Sequence, residues 1–368
     1  MDPTQPKPTA RNASSENKPS LLDKLVTAAL GRLPSPDVGF LRAAPRLQNY
    51  DKQLCLRVSY GLCSGYWICK GPPGGSQIPR ESDVVIIYYH GGAYCFGDAL
   101  DSTLLLLRGA EIASAARGIS ISIFSARYTL APAGGTFPLQ QRQALAAYRY
   151  LLDVERVPAE KIVIAGASAG SHLALTCLLG IAEAGLPKPA AGLLLFPWIS
   201  LHNDSPSFRR NKHKCVLTKS LLDRCAALVL GKGRKEEGTV EGVRWDGLEL
   251  EDLNRPLRHG KTWKQILPSF MWINVGEHDV FFDDIQTFKK HAEADGAHVD
   301  VDITPRAAHA WHAGDRPIAY KLLKMQPDDE IPAGKLPGCE NVSQGLVTVW
   351  DLAMRQKGTG AKIATKQV

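Results

Sequence analysis

Gly166-Ala167-Ser168-Ala169-Gly170 has the pattern Gly-x-Ser-x-Gly. An apolar, β-branched run, KIVIA, precedes it, and an Ala/Leu-rich helical stretch, SHLALTCLLGIAEAG, follows. A serine on such a strand-to-helix turn has its hydroxyl pushed into solvent at the end of a sheet, where it can serve as a nucleophile. Small residues at 166 and 170 permit the tight bend. Ala169 offers an N–H at a helix start, where donors are unpaired and the dipole favours negative charge. Taken alone, the pattern is equally that of a small-residue helix start with Ser168 as its cap.

A second signal comes from the run DVVIIYYH (83–90), which leads directly into Gly91-Gly92-Ala93-Tyr94. Adjacent glycines after a strand leave backbone N–H groups able to converge on one point, as an oxyanion hole requires. A plain turn or a phosphate loop competes with this reading, but GxGxxG and GxxxxGK are both absent here. An acid, Asp279, ends the strand-like SFMWINV in Gly276-Glu277-His278-Asp279. A base, His309, lies just past VDVDIT in RAAHAWHAG. Singly, Asp279 and His309 read as solvated surface groups. Together they complete the order Ser…Asp…His, each at the end of a strand and hence on one edge of a parallel sheet. That set of groups performs nucleophilic acyl transfer.

The elements that must position these residues alternate in type. DVVIIYYH, ISISIFSA (119–126), KIVIAG (161–166), GLLLF (192–196), SFMWINV (269–275) and 298–303 read as strands. Helical spacing fills 100–117, 138–153, the stretch after Ser168, 281–295 and 346–356. This rhythm predicts an α/β fold with a mostly parallel central sheet flanked by helices. Residues 1–20 read as a disordered arm and 21–75 as an N-terminal lid segment. The core is expected over 76–206 and 266–358, with a lid insertion at 207–265 carrying the helix LTKSLLDRCAALVL (217–230) and a tail at 359–368.

Composition narrows the partners. In 368 residues, 44 Lys and Arg face 37 Asp and Glu, a net charge of +7 that makes no case for nucleic acid. The basic run over 207–235 reads as a solvated surface ahead of a site attracting acidic substrates. No apolar run is long enough to span a membrane. The polar, Pro/Ser/Lys-rich start lacks a secretory apolar stretch, so the expected setting is intracellular and cytoplasmic, and the sequons at Asn12, Asn203 and Asn341 carry no weight. The eight cysteines contain no CxxC pair and read as buried thiols, with Cys63 and Cys69 the one pair considered for a bridge. No histidine spacing suits zinc, and no metal or cofactor is expected.

The blocks YYHGGAYCFGD (88–98), ARYTLAP…FP (126–138), GASAGSHLAL (166–175), GEHDVFFDD (276–284) and HAWH (309–312) resemble the hormone-sensitive-lipase-like group of α/β-hydrolase esterases. The resemblance implies an α/β-hydrolase fold and a serine esterase or deacetylase acting on a small-molecule ester. It makes Ser168 the nucleophile, Asp279 the acid and His309 the base ahead of His312. Asp283 matches a second aspartate, and the N–H groups of Gly92, Ala93 and Ala169 form the oxyanion hole, with His90 and Gly91 shaping its loop. The chain departs from the family at Ala93, where a third loop glycine is usual, at Ala167 and Ser171 in the elbow, and at the QQRQ after Phe137-Pro138. Tyr94, Phe96, Trp198 and Trp311, close in sequence to these residues, are expected to wall an apolar pocket, core packing being the competing reading. A dedicated biosynthetic acyl hydrolase or acyltransferase and a non-catalytic ligand receptor remain as alternative functions, and the oligomeric state, a homodimer included, stays open.

Overall fold

A computed structural model of the chain describes residues 37–231, 239–240, 243–244, 251–255, 257 and 260–354. The expected arm at 1–20, the first part of the segment 21–75, much of 232–259 and the tail at 359–368 lie outside the described residues.

The continuous apolar runs form the centre of one sheet. Strands β1 (Leu54–Tyr60), β2 (Cys63–Cys69), β3 (Val84–Tyr89), β4 (Ile121–Ala126), β5 (Ile162–Ala167), β6 (Ala191–Leu195), β7 (Phe270–Gly276) and β8 (Val299–Thr304) lie in the order β1-β2-β4-β3-β5-β6-β7-β8. Pairing is parallel from β4 through to β8, and antiparallel between β1 and β2 and between β2 and β4. Every residue of β3 to β7 is buried, as expected of parallel strands covered on both faces.

Helices α1 (Thr103–Arg117), α2 (Leu139–Arg149), α3 (Ala169–Glu183), α4 (Lys219–Val229), α5 (Phe282–Ala294), α6 (Arg316–Leu322) and α7 (Pro337–Val349) provide that cover. Leu106, Leu107 and Ala110 of α1 share one apolar cluster with Val342 and Leu346 of α7. Ala144 and Ala147 of α2, Leu173 and Leu178 of α3, and Ile285 and Phe288 of α5 belong to the cluster on the other face. Gly345 lets α7 press against the sheet, since a Cβ there would come within 2.7 Å of the Trp272 ring.

Two sequence readings need correction, and a third, of the cysteines as buried thiols, is met. Residues 54–69, assigned to a lid, are the β1–β2 hairpin at one edge of the sheet, turned at Gly61 with φ 56°. The alternation of LCLRVSY was the overlooked strand signal. The helix placed at 346–356 begins at Pro337, which occupies its first turn, where a missing N–H costs nothing. Cys63 and Cys69 stand at opposite ends of β2, about 20 Å apart at the usual rise per residue, so they cannot bridge. All eight cysteines are free and buried.

Candidate active site

β5 ends at Ala167 and α3 begins at Ala169, so Ser168 alone makes the turn, at φ 55° and ψ −119°. This left-handed conformation is unfavourable for a residue with a Cβ and persists only when its surroundings impose it. Those surroundings are backbone bonds. The Ser168 N–H donates to Leu195 O at 2.9 Å, and its carbonyl accepts from the N–H groups of Ser171 at 3.0 Å and His172 at 3.2 Å. The hydroxyl makes no capping bond to α3, which removes the reading of Ser168 as a helix cap.

The bend also needs Gly170, where a Cβ would collide with the carbonyl oxygens of Tyr89 and His90. Because the colliding atoms are backbone, Gly170→Ala is expected to cost about 3 kcal/mol or more, the upper range for overpacking. A thermal melt of parent and variant checks this, and an unchanged Tm would contradict it.

The Ser168 hydroxyl lies 3.0 Å from Nε2 of His309, and His309 Nδ1 lies 2.8 Å from Asp279 Oδ2. Nδ1–H donates to the carboxylate, leaving Nε2 as the acceptor for the serine proton. Asp279 is wholly buried; its Oδ1 accepts the Phe281 N–H at 3.0 Å, and Asn211 Nδ2 holds its backbone carbonyl at 2.8 Å. The His309 ring meets Phe196 and Phe281 edge-on, with centroids 4.7 and 5.0 Å away. Three loops from three strand ends thus converge, and packing fixes the imidazole between its two partners.

His312 stands apart from this line. Its Nε2 pairs with Asn341 Oδ1 at 2.9 Å, and burial pushes its pKa down to about 4. Asp283 forms a two-pronged ion pair with Arg210, at 2.6 and 2.9 Å.

The loop after β3 faces Ser168. A Cβ on Gly91 would lie 3.4 Å from the Ser168 Cβ. Gly92, Ala93 and Tyr94 follow with φ of 112°, 51° and 60°, a path that turns the loop back on itself. Among the described residues, the N–H groups of Gly92, Ala93 and Ala169 have no hydrogen-bond partner. His90 shapes the loop: Nδ1–H donates to Gly91 O at 2.7 Å, and the ring stacks on Tyr128 at 4.2 Å. Burial lowers the His90 pKa, which keeps the ring neutral.

Above these groups opens a cavity of about 240 Å³. Ser168, His309, Gly91, Gly92 and Ala93 line its floor. Phe96, Phe196, Leu217, Leu221 and Leu222, with Leu104, Leu105, Ala319 and Tyr320, are among its walls.

Of the four aromatic residues expected in the wall, only Phe96 is there. Tyr94 is wholly buried and shares a 2.7 Å hydrogen bond with His172. Trp198, also wholly buried, donates to Asn203 Oδ1 at 2.8 Å and stacks on Phe281. Trp311 donates to Asn274 Oδ1 at 3.1 Å. In each case the polar group of the side chain finds a partner inside the fold: Tyr94 and Trp198 are drawn into the core, and Trp311 stays half-buried away from the cavity. Among the described residues of that basic run, Arg209, Arg210, Lys212, Lys214, Lys219 and Arg224 do not line the cavity. The sequence reading missed the wall supplied by α6; the Pro317 that follows Arg316, at a helix start, was the available signal.

A family model described as alpha/beta hydrolase fold matches residues 86–313. The chain belongs to that family. Within the alpha/beta hydrolases it is similar to an acetyl-hydrolase of Streptomyces hygroscopicus, 28% identical over 258 residues, which cover 69% of this chain and 74% of that protein. It is also similar to the carboxylesterase NlhH of Mycobacterium tuberculosis, 25% identical over 278 residues, covering 74% of this chain and 76% of that protein. Among solved structures, an esterase from the bacterial hormone-sensitive lipase family superposes with a TM-score of 0.61 at 23% identity, covering 89% of this chain and 97% of that one. This last likeness is one of fold.

Proposed function

We propose that this alpha/beta hydrolase cleaves a small carboxylic ester through an acyl-enzyme on Ser168. The observation that carries the reading is the buried line Ser168–His309–Asp279, closed by bonds of 3.0 and 2.8 Å at the foot of an apolar cavity. The relatives named above, an acetyl-hydrolase and a carboxylesterase, agree with it: the chain is an ester-cleaving serine hydrolase. His309 takes the serine proton as Oγ attacks the ester carbonyl, and Asp279 steadies the resulting imidazolium. The unpartnered N–H groups of Gly92, Ala93 and Ala169 supply donors for the oxyanion. His309 then protonates the departing alcohol and activates the water that releases the acid. Helix α4, through Leu221 and Leu222, roofs the cavity as the lid helix of the insertion.

Among the described residues, no helix is long and apolar enough to cross a membrane. The free, buried state of all eight cysteines supports a reducing, cytoplasmic setting.

The decisive test is covalent. A fluorophosphonate should label Ser168 in the parent and leave Ser168→Ala unlabelled. Absence of label in folded parent enzyme would overturn the reading.

Cavity size supplies a second expectation. About 240 Å³ falls below the roughly 300 Å³ at the low end of drug-sized sites. The highest kcat/KM is therefore expected on nitrophenyl esters of about two to six acyl carbons, since methylenes beyond the pocket forgo about 0.8 kcal/mol of burial each. A chain-length series without detergent micelles measures it, and a rate rising steadily to about sixteen carbons would contradict it.

A further inference from the structure

The active-site cavity does not end on solvent everywhere. Between α1 and α6 it runs against Leu104 and Ala319. These two residues are also among the walls of a second cavity of about 30 Å³, lined further by Leu107, Leu323 and Leu336. The pair therefore stands between two voids. Leu104 and Leu105 pack on the small apolar cluster of Ala319, Leu336 and Cys339, so hydrocarbon forms both the partition and much of what lies behind it. Arg46, Arg108 and Glu111 also line the second cavity, and the buried Nε of Arg108 has no hydrogen-bond partner among the described residues. Arg108 pairs with Glu111 at 3.0 Å, and Arg46 holds the carbonyl oxygens of Gln326 and Asp329 at 2.8 and 2.6 Å.

Resting on the esterase reading above, we propose that Leu104 and Ala319 form the end wall of a hydrocarbon arm of the active site and set the length of the unbranched chain that a substrate ester carries. An arm walled in this way rewards each methylene it can bury and rejects the first that meets the wall. Leu104 stands in the first turn of α1, and Ala319 lies mid-way along α6. A change at either position moves the wall without touching Ser168, His309 or Asp279.

The test uses the full chain and two ester series, nitrophenyl esters of increasing acyl length and acetate esters of increasing alkyl length. These tell whether the arm receives the acid half or the alcohol half. Leu104→Ala joins the arm to the second cavity and should move the optimum in one series two to three carbons longer. The ratio of kcat/KM between the longer and the parent's best ester should rise about fourfold for each methylene newly accommodated. Ala319→Leu fills the arm and should shorten the optimum in the same series; it also serves if Leu104→Ala fails to fold.

Fluorophosphonate labelling of each variant shows that its serine remains competent. Length profiles within about twofold of the parent in both series, from labelled variants, would overturn the proposal. A parent that takes no label overturns the esterase reading and this proposal with it, so the two failures are told apart.

Discussion

Ser168→Ala should lower kcat by about 10⁶-fold, the loss seen when the nucleophile of a serine hydrolase is removed. The size follows from the geometry. Without Oγ, the His309 Nε2 that faced it at 3.0 Å has no proton to take, and no acyl-enzyme can form. What remains is whatever the N–H groups of Gly92, Ala93 and Ala169 and the cavity give a water attack, roughly 10³ to 10⁴ over the uncatalysed rate. Ser168 donates no side-chain cap to α3, so the variant should melt close to the parent, which separates a chemical defect from a structural one. Turnover near the parent's in a preparation free of contaminating esterase would end the proposal.

The two histidines of the HAWH stretch should behave in opposite ways. His309→Ala is expected to lose about 10⁴-fold or more in kcat, because base and orienting partner act as a unit. His312→Gln should keep most of the turnover, since His312 bonds to Asn341 and not to Ser168. The marker of His312 lies instead in acid stability. Its folded pKa, about 4, is below the 6.5 of the unfolded chain, so the fold favours the neutral ring. The stability held by that ring is complete above pH 6.5 and is lost as pH falls through about 4, because the unfolded chain binds the proton more readily. His312→Gln should therefore lose less stability than the parent between pH 6.5 and 4. Equal losses in denaturant melts across that range, or activity abolished in His312→Gln but kept in His309→Ala, would contradict the assignment.

Much of this arrangement was legible from residue order. Strands buried on both faces show as unbroken apolar runs, so β3 to β7 stand out along the chain. A parallel sheet puts all their C-terminal ends on one edge, so Ser168, Asp279 and His309, each just past a strand, share that edge by topology alone. The β1–β2 hairpin escaped although LCLRVSY alternates, because the Pro- and Gly-containing stretches around it made the segment read as broken apolar pieces. Tyr94, Trp198 and Trp311 misled because closeness in sequence to a site residue does not say which way a ring faces.

From the sequence alone came the class of fold, the order of strands β3 to β8 along the chain and the types of residue available for acyl transfer. These depend on local periodicity and on turn chemistry, which a chain carries in its residue order. The tertiary structure alone decided how His309 is held between Ser168 and Asp279, which aromatic rings leave the cavity wall, and that α6 closes the cavity beside α1. Each of these turns on contacts between segments far apart in the chain. Such contacts are selected by packing and by hydrogen-bond satisfaction of the whole fold, and no stretch of residues records that competition by itself.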